Sequence, residues 1–343
     1  MKPVALVTGV VSDHRVEPFR ILSERENVEL LSWQEPRRHS QLEAARLAGS
    51  GRYRAVIGGL GGRVALPAAY LAARRARIPF VLWASLWAHP RTAAHAASFL
   101  PLRAIYRHAD AVVTYGPHVT RYVERFRDAG NVFEAPQAVD PAVFGRIVSD
   151  EERRAARQRM GASADGFLAL FVGRLVPEKG IDTLLEAWRR SSLPAGSALA
   201  FAGAGPLTPR GPGVRLLGRI GRDDLPPLYS AADVLVLPSI ATATFREPWG
   251  LVSNEAMHQS TPVIASDAVG AAAGGLVVDG RTGMVFPAGD ADALAARLTA
   301  LAAAPDLRAS LGEKAHTKVA DYTPARWADG MSRALAAVGA SVV

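Results

Sequence analysis

Short apolar runs alternate along nearly the whole chain with longer segments of helical period, and this alternation constrains the fold more than any other feature. Such short apolar runs between helical stretches read as buried parallel strands joined by crossover helices. In the first half the strands are expected near Val4 to Thr8, Val28 to Trp33, Ala55 to Ile57, Phe80 to Trp83 and Ala111 to Thr114, with helices over Glu17 to Arg25, Gln41 to Leu47, Val64 to Arg75 and Arg91 to Arg107. A second series follows, with strands near Phe167 to Val172, Ala198 to Ala202, Val214 to Leu217, Val234 to Leu237, Pro262 to Ala265 and Gly283 to Phe286. Asp292 to Ala303 and Leu307 to Val319 read as helices, and Pro324 opens a last one containing Trp327. The expected class is α/β, with two doubly wound Rossmann-like units in tandem.

Length supports the count of two. At 343 residues the chain exceeds the ~250–300 at which a single hydrophobic core stops growing. The segment Ala135 to Asp150 holds Pro136 and Pro141, lacks a clear period and leads into the charged run EERRAARQRMG, which suits an interdomain linker. The domains are therefore placed at 1–145 and 150–322.

Cysteine is absent, which excludes disulfides and thiolate chemistry and fits a reducing cytoplasm. The opening MKPVALVTGV is followed by Asp13 and has no small-residue cleavage site, so it reads as a buried strand and not as a signal peptide. No window offers the ~18 uncharged apolar residues of a membrane span. The net charge of +8 comes almost wholly from arginine, since Lys2, Lys179, Lys314 and Lys318 are the only lysines. The arginines read as scattered through an alanine-rich background, which argues against a nucleic-acid polymer as partner and leaves peripheral membrane contact open but not indicated.

Four features of the second half fall in a telling order. In FVGRLVPEKGIDTLLEAW a strand ends at Gly173, and the loop after it carries Arg174 and Lys179. Ligands bind at the carboxyl ends of strands in open α/β sheets, and an arginine fork with a lysine point charge can hold a diphosphate there. In AFAGAGP, Gly203 and Gly205 follow a strand and permit close backbone approach. In LLGRIGRDD the backbone groups of Arg219 and Ile220 are placed to face a nucleobase, although an ordinary βα loop explains the same letters. REPWGLVSNEAMHQSTPVIAS is the most specific: Glu247 and Glu255 are separated by seven residues, and Pro248, Trp249 and Gly250 lie between Glu247 and a helix expected to begin near Leu251. Free amides of Leu251 and Val252 would suit a diphosphate. Glu247 could meet the sugar and Glu255 the ribose, because a carboxylate accepts from two neighbouring hydroxyls. A helix-terminal charge and a surface glutamate fit the same spacing.

With those residues in view, the stretch from Phe167 to Leu298 strongly resembles the family 4 glycosyltransferases. It carries GRLVPEKG, AGAGP, the EPWGLVSNE form of that family's paired-glutamate motif, STPVIAS and VVDGRTGMVFPAGD. The resemblance implies the GT-B fold, two Rossmann-like domains facing across a cleft, with the acceptor bound by the first domain and a nucleoside-diphosphate sugar by the second. It implies that Arg174 and Lys179 neutralise the departing diphosphate, that Glu247 binds donor-sugar hydroxyls, that Glu255 binds the ribose, and that Val269 and Gly270 border sugar and phosphate. It also implies retention of anomeric configuration by front-face attack, in which the leaving phosphate accepts the acceptor's proton. The nucleotide sugar is a co-substrate, with no further cofactor, and the lack of an Asp-x-Asp pair matches relatives that need no metal. The closing helix, 325–343, is expected to pack back on the first domain.

In the first half Arg15 and Phe19 stand at familiar positions. The family's histidine after the fourth strand is replaced on simple alignment by Ser85, with His89 four residues later in ASLWAHPRT. His89 is retained as a candidate catalytic residue, a structural place on its loop staying open; Trp83 and Trp87 suit an apolar acceptor wall, with a core role equally open for Trp83; and His95, His108 and His118 are read as surface residues. The Trp-rich loop points to a small-molecule or glycan acceptor. Two other readings share these letters: a GT-B-fold nucleotide-sugar epimerase, and a non-catalytic nucleotide-sugar-binding protein.

Overall fold

The computed structural model describes residues 1–9, 11–33, 39–59, 61–62, 64–128 and 130–342. Its contacts divide the chain into two compact units, Met1–Ala138 with Thr323–Val343, and Val139–Tyr322.

The first unit is built on six parallel strands: β1 (Val4–Thr8), β2 (Val28–Ser32), β3 (Ala55–Gly59), β4 (Phe80–Ala84), β5 (Ala111–Thr114) and β6 (Val132–Glu134). They lie in the order β2-β1-β3-β4-β5-β6. β1, β3, β4 and β5 are buried at every residue, which is why they are written as unbroken apolar runs. The closing helix Pro324–Ala337 packs on the helix Asp13–Glu26 and on β5 and β6. Trp327 sets its ring 5.5 Å from Phe19 and 5.3 Å from Trp83. Glu26, fully buried, accepts from Arg54, the Ser341 hydroxyl and the Val342 amide, which fastens the chain's end to this unit.

The second unit holds β7 (Leu168–Val172), β8 (Ala198–Ala202), β9 (Val214–Gly218), β10 (Val234–Leu237), β11 (Val263–Ser266) and β12 (Gly283–Phe286) in the order β12-β11-β10-β7-β8-β9. One face of this sheet packs a continuous core in which Phe171, Phe201, Val236 and Ile264 meet Leu184 and Trp188 of the helix Ile181–Arg190 and Leu294 and Leu298 of the helix Ala291–Ala303.

Three expectations from the sequence change. The division falls after Ala138, not at 145, because 139–145 is not a free linker: Pro141–Phe144 is a helical turn capped by Asp140, and Gln259 donates to the carbonyls of Phe144 and Arg146. A sixth strand, β6, and a helix, Pro117–Val123, are present where no element was expected. That helix buries His118, which is 3% exposed with its ring edge-on to Trp87, so His118 is an interior residue and not a surface one. Finally, the positive charge is not evenly scattered. Residues 1–138 and 323–343 hold 21 arginines and lysines against 12 acids, a net +9, whereas 139–322 hold 19 against 20.

Candidate active site

In the second sheet the chain runs outward from β7 through β8 to β9, then returns to β10 on the other side of β7 and runs outward through β11 to β12. The carboxyl ends of β7 and β10 therefore diverge into loops going opposite ways, and this switch point is where open α/β sheets leave a crevice for ligands. The loops after these two strands carry Lys179 and Glu247, and the two side chains form an ion pair. Both are largely shielded from water.

Backbone contacts fix the geometry. The turn Pro177–Lys179 is bound to the β10 loop by the Ile240 amide, which donates to the Glu178 carbonyl at 3.0 Å. Gly180 adopts φ +70°, and a Cβ there would stand 1.9 Å from the Pro238 carbonyl oxygen, so only glycine lets the lysine-bearing turn approach β10 this closely. On the other side, Glu247 makes an isolated parallel bridge with Val269, and its carbonyl accepts from the Gly270 amide at 3.0 Å. Gly270 is as tightly constrained, because a Cβ would lie 2.1 Å from the Pro248 carbonyl oxygen. Glu247 also accepts from the Ser239 hydroxyl at 3.2 Å, and the Lys179 ammonium lies 5.5 Å from the centroid of the Phe245 ring.

Glu255 lies in the helix Val252–His258 and occupies a different environment. Its carboxylate accepts from the Tyr229 hydroxyl at 2.5 Å. The residue keeps some solvent-accessible surface, but the carboxylate lies deep among protein atoms, and desolvation pushes it up to about 7 against the opposing pull of the Tyr229 hydrogen bond and the Arg222 charge. Burial, with the Glu255 charge beside it, drives the Tyr229 phenol well above its ordinary value. The amides of Leu251 and Val252 donate to no protein acceptor among the described residues.

Other expected positions divide between the site and its support. Gly173 and Gly203 meet back to back: a Cβ on Gly203 would lie 1.8 Å from the Gly173 carbonyl oxygen, and one on Gly205 would lie 2.2 Å from that of Leu175. These glycines pack the β7 and β8 loops together. Arg174 is exposed and turns to Glu178, 3.4 Å away, without joining the Lys179–Glu247 pair. Arg219 and Ile220 leave β9 with the Arg219 side chain exposed. Trp249 is buried, donating from its indole to Asn254 at 2.8 Å and tilted against Tyr322, so its side chain is structural while its carbonyl accepts from the Ala271 amide. Sequence reasoning gave no role to Tyr229, Phe245 or Arg222. Only the hydroxyl and cation types in LYSAAD and GRDD marked Tyr229 and Arg222, nothing marked Phe245, and nothing local ties the first two segments to Glu255.

In the first sheet the order likewise reverses between β1 and β3. There a polar pocket of about 280 Å³ is lined by Thr8, Arg15, Gly59, Trp83, Ser85 and Tyr115, among others. Arg15 donates to the Tyr115 hydroxyl at 3.0 Å and stacks over the Trp83 ring at 4.7 Å. The two positions weighed for the family histidine separate. Ser85 faces this pocket, whereas His89 lines a larger, mainly apolar one of about 570 Å³ with Leu66, Leu86, Pro101 and Leu102. His89 Nε2 pairs with the His95 carbonyl at 2.8 Å, and its ring lies edge-on to Phe99. Trp83 is buried beneath Arg15 in the aromatic cluster with Phe19 and Trp327. Among the described residues no three His, Asp or Glu side chains gather as metal ligands, and no helix is long and apolar enough to cross a membrane.

Residues 166–304 match the family described as Glycosyl transferases group 1. A D-inositol 3-phosphate glycosyltransferase of Streptomyces scabiei is 36% identical over 201 residues, covering 52% of this chain and 43% of that protein. The chain thus spans under half the length of this curated relative. Among solved structures, Anabaena HepE in complex with UDP-glucose superposes with a TM-score of 0.76 at 18% identity, covering 97% of this chain and 99% of that one. Sucrose-phosphate synthase from Thermosynechococcus elongatus gives 0.73 at 20% identity over 97% and 98% of the two chains. These likenesses, with the two parallel six-stranded sheets, show the GT-B fold.

Proposed function

We propose that this chain is a retaining glycosyltransferase that moves a sugar from a nucleoside diphosphate to a hydroxyl of a small-molecule or glycan acceptor. The observation that carries the reading is the Lys179–Glu247 pair at the switch point of the second sheet, inside the stretch that matches the glycosyltransferase family. Lys179 and Arg174 neutralise the diphosphate, the free amides of Leu251 and Val252 add hydrogen bonds to it, and Glu247 accepts from hydroxyls of the donor sugar. Holding Lys179 on Glu247 before the donor arrives keeps the ammonium oriented and spares an unpaired buried charge. Glu255, anchored by Tyr229, accepts from the ribose hydroxyls.

In the transfer step the acceptor oxygen bonds to the anomeric carbon as the bond to the diphosphate oxygen breaks. The acceptor's proton passes to that departing oxygen, on the face the diphosphate leaves. No protein base is consumed, and the residues act by position and charge. The acceptor takes the polar pocket of the first unit, where the Arg15 guanidinium and the Thr8, Ser85 and Tyr115 hydroxyls supply donors. UDP-glucose is the first donor to test, because the Anabaena neighbour binds it. The enzyme is assigned to the cytoplasm and to the metal-independent class.

The test pairs a nucleotide thermal-shift screen with turnover. UDP or another nucleoside diphosphate should raise the unfolding temperature of the wild type. Lys179→Ala and Glu247→Ala should abolish transfer while the circular dichroism spectrum is kept. Full activity in both variants would end the assignment, and release of a new sugar nucleotide without acceptor would replace it with isomerisation.

A further inference from the structure

Three neighbouring helices on one face of the first sheet share a device that the transfer reaction does not use. In Gln41–Ala48, Ala65–Ala76 and Ala93–His108 an exposed leucine is followed one turn later by an exposed arginine: Leu42 and Arg46, Leu71 and Arg75, Leu100 and Arg103, with Arg107 one turn further on. The leucines are 64%, 52% and 68% exposed, among the few large apolar side chains the protein leaves in water. The helices are adjacent, the first packed on the second and the second on the third, so the three leucine–arginine pairs lie on neighbouring helices of one layer. From Ala44 to Ala109 the chain has ten arginines and no acidic residue. Arg46, Arg75, Arg103 and Arg107 have no acidic partner within ion-pair distance among the described residues, and Glu43 is occupied in the capping box of the first helix.

We infer that this face of the first unit docks on an anionic lipid bilayer, with Leu42, Leu71 and Leu100 entering the headgroup region and the arginines meeting lipid phosphates. Charge complementarity and apolar protrusion point to the same occupant. The unit carries a net +9 while the other carries −1, so attraction to a negative surface acts on the first unit. A nucleic-acid surface would take the arginines but has no place for a row of leucines, whereas the interface of a bilayer takes both. The arginines follow the leucines within a turn, so an inserted leucine brings its arginine within the ~8 Å Debye length at physiological salt. The inference stands apart from the proposed chemistry, since none of these residues lines the polar pocket of the first unit.

The experiment is co-sedimentation of the full chain with vesicles. Binding is expected to vesicles of phosphatidylglycerol with phosphatidylcholine at low ionic strength, to weaken with salt, and to be absent with phosphatidylcholine alone. Each arginine near an anionic surface contributes about fivefold, so Arg75→Gln with Arg103→Gln and Arg107→Gln should weaken partitioning roughly a hundredfold. Leu71→Ser with Leu100→Ser should weaken it by at least about tenfold. Replacing Arg154, Arg210 and Arg281 of the second unit with glutamine should leave it unchanged. Circular dichroism and the nucleotide thermal shift show whether each variant is folded. Absence of binding to the anionic vesicles overturns the inference, as does equal binding by the leucine variant, which would mark the face as a general polyanion site.

Discussion

Glu255 offers a sharp test of how the crevice of the second unit is built, because its raised pKa must appear in the pH dependence of stability. Its ordinary value is 4.5 and its folded value is about 7. A carboxyl that holds its proton more tightly when folded favours the folded state at low pH, and that stabilisation is lost as pH rises through the folded value. The shift of about 2.5 units corresponds to roughly 3 kcal/mol in full, of which about 2.5 kcal/mol disappears between pH 5 and pH 8. His258 titrates with the opposite sign: burial lowers it to about 4, so its stabilisation is present above 6.5 and falls away as pH drops towards 4. The wild-type curve alone therefore mixes two slopes. Glu255→Gln isolates one, since glutamine keeps an acceptor for Tyr229 but does not titrate. The difference in unfolding temperature between wild type and variant should move by about 5–10 °C from pH 5 to pH 8, given the size of the second unit. The wild type should lose ground at the higher pH. Parallel curves would show that the carboxylate is not desolvated as described. Nucleoside diphosphate affinity supplies an independent arm: if the ionised carboxylate receives the ribose hydroxyls, affinity should rise through pH 7 in the wild type more than in Glu255→Gln.

Three further outcomes follow from the packing. Lys179→Met and Glu247→Gln should each cost up to about 3 kcal/mol by leaving a shielded charge unpaired, and the double variant should cost less than the sum, as a double-mutant cycle by denaturant titration will read out; additive losses would mean the two side chains do not meet. Gly180→Ala should destabilise by at least about 2 kcal/mol and depress turnover together, because a Cβ at 1.9 Å from the Pro238 carbonyl oxygen must displace the turn that carries Lys179; wild-type stability and rate in this variant would refute that placement. Glu26→Ala should cost about 3–5 kcal/mol by stranding the largely buried Arg54 and freeing the Ser341 and Val342 ends, measured as a drop in unfolding temperature.

The letters disclose the strands more completely than the site. A strand buried on both faces must be apolar throughout, so β1, β4, β7, β8 and β10 announce themselves within a residue or two. β6 is three residues of intermediate exposure and the helix Pro117–Val123 has seven, too short for either period to stand out. Missing that helix is what misplaced His118. The glutamates and the lysine could be singled out by type, but not their pairing: Lys179 and Glu247 are 68 positions apart, and they meet only because β10 lies beside β7, a strand order that no local pattern encodes. The deep setting of Glu255 is hidden for the same reason, since Tyr229 approaches from a different helix.

The two sheets solve one topological problem with opposite chemistry. Each leaves a crevice where its strand order reverses, between β1 and β3 in the first and between β7 and β10 in the second. In the second, Lys179 is neutralised by Glu247 and largely shielded from water, so part of the cost of stripping water from its ammonium is met before any anion arrives. In the first, the Arg15 guanidinium lies over the Trp83 ring at 4.7 Å and donates to the Tyr115 hydroxyl, a delocalised cation braced by an aromatic face. On the proposed function the second crevice must release a diphosphate after every turnover, and a lysine that can return to Glu247 would lower the cost of letting go. If the first crevice takes the acceptor, as proposed, it must orient one hydroxyl among several, and a planar fork braced by tryptophan does that better than a flexible ammonium. Exchanging the cations, Lys179→Arg and Arg15→Lys, should therefore impair different quantities: product release in the first variant, acceptor KM in the second.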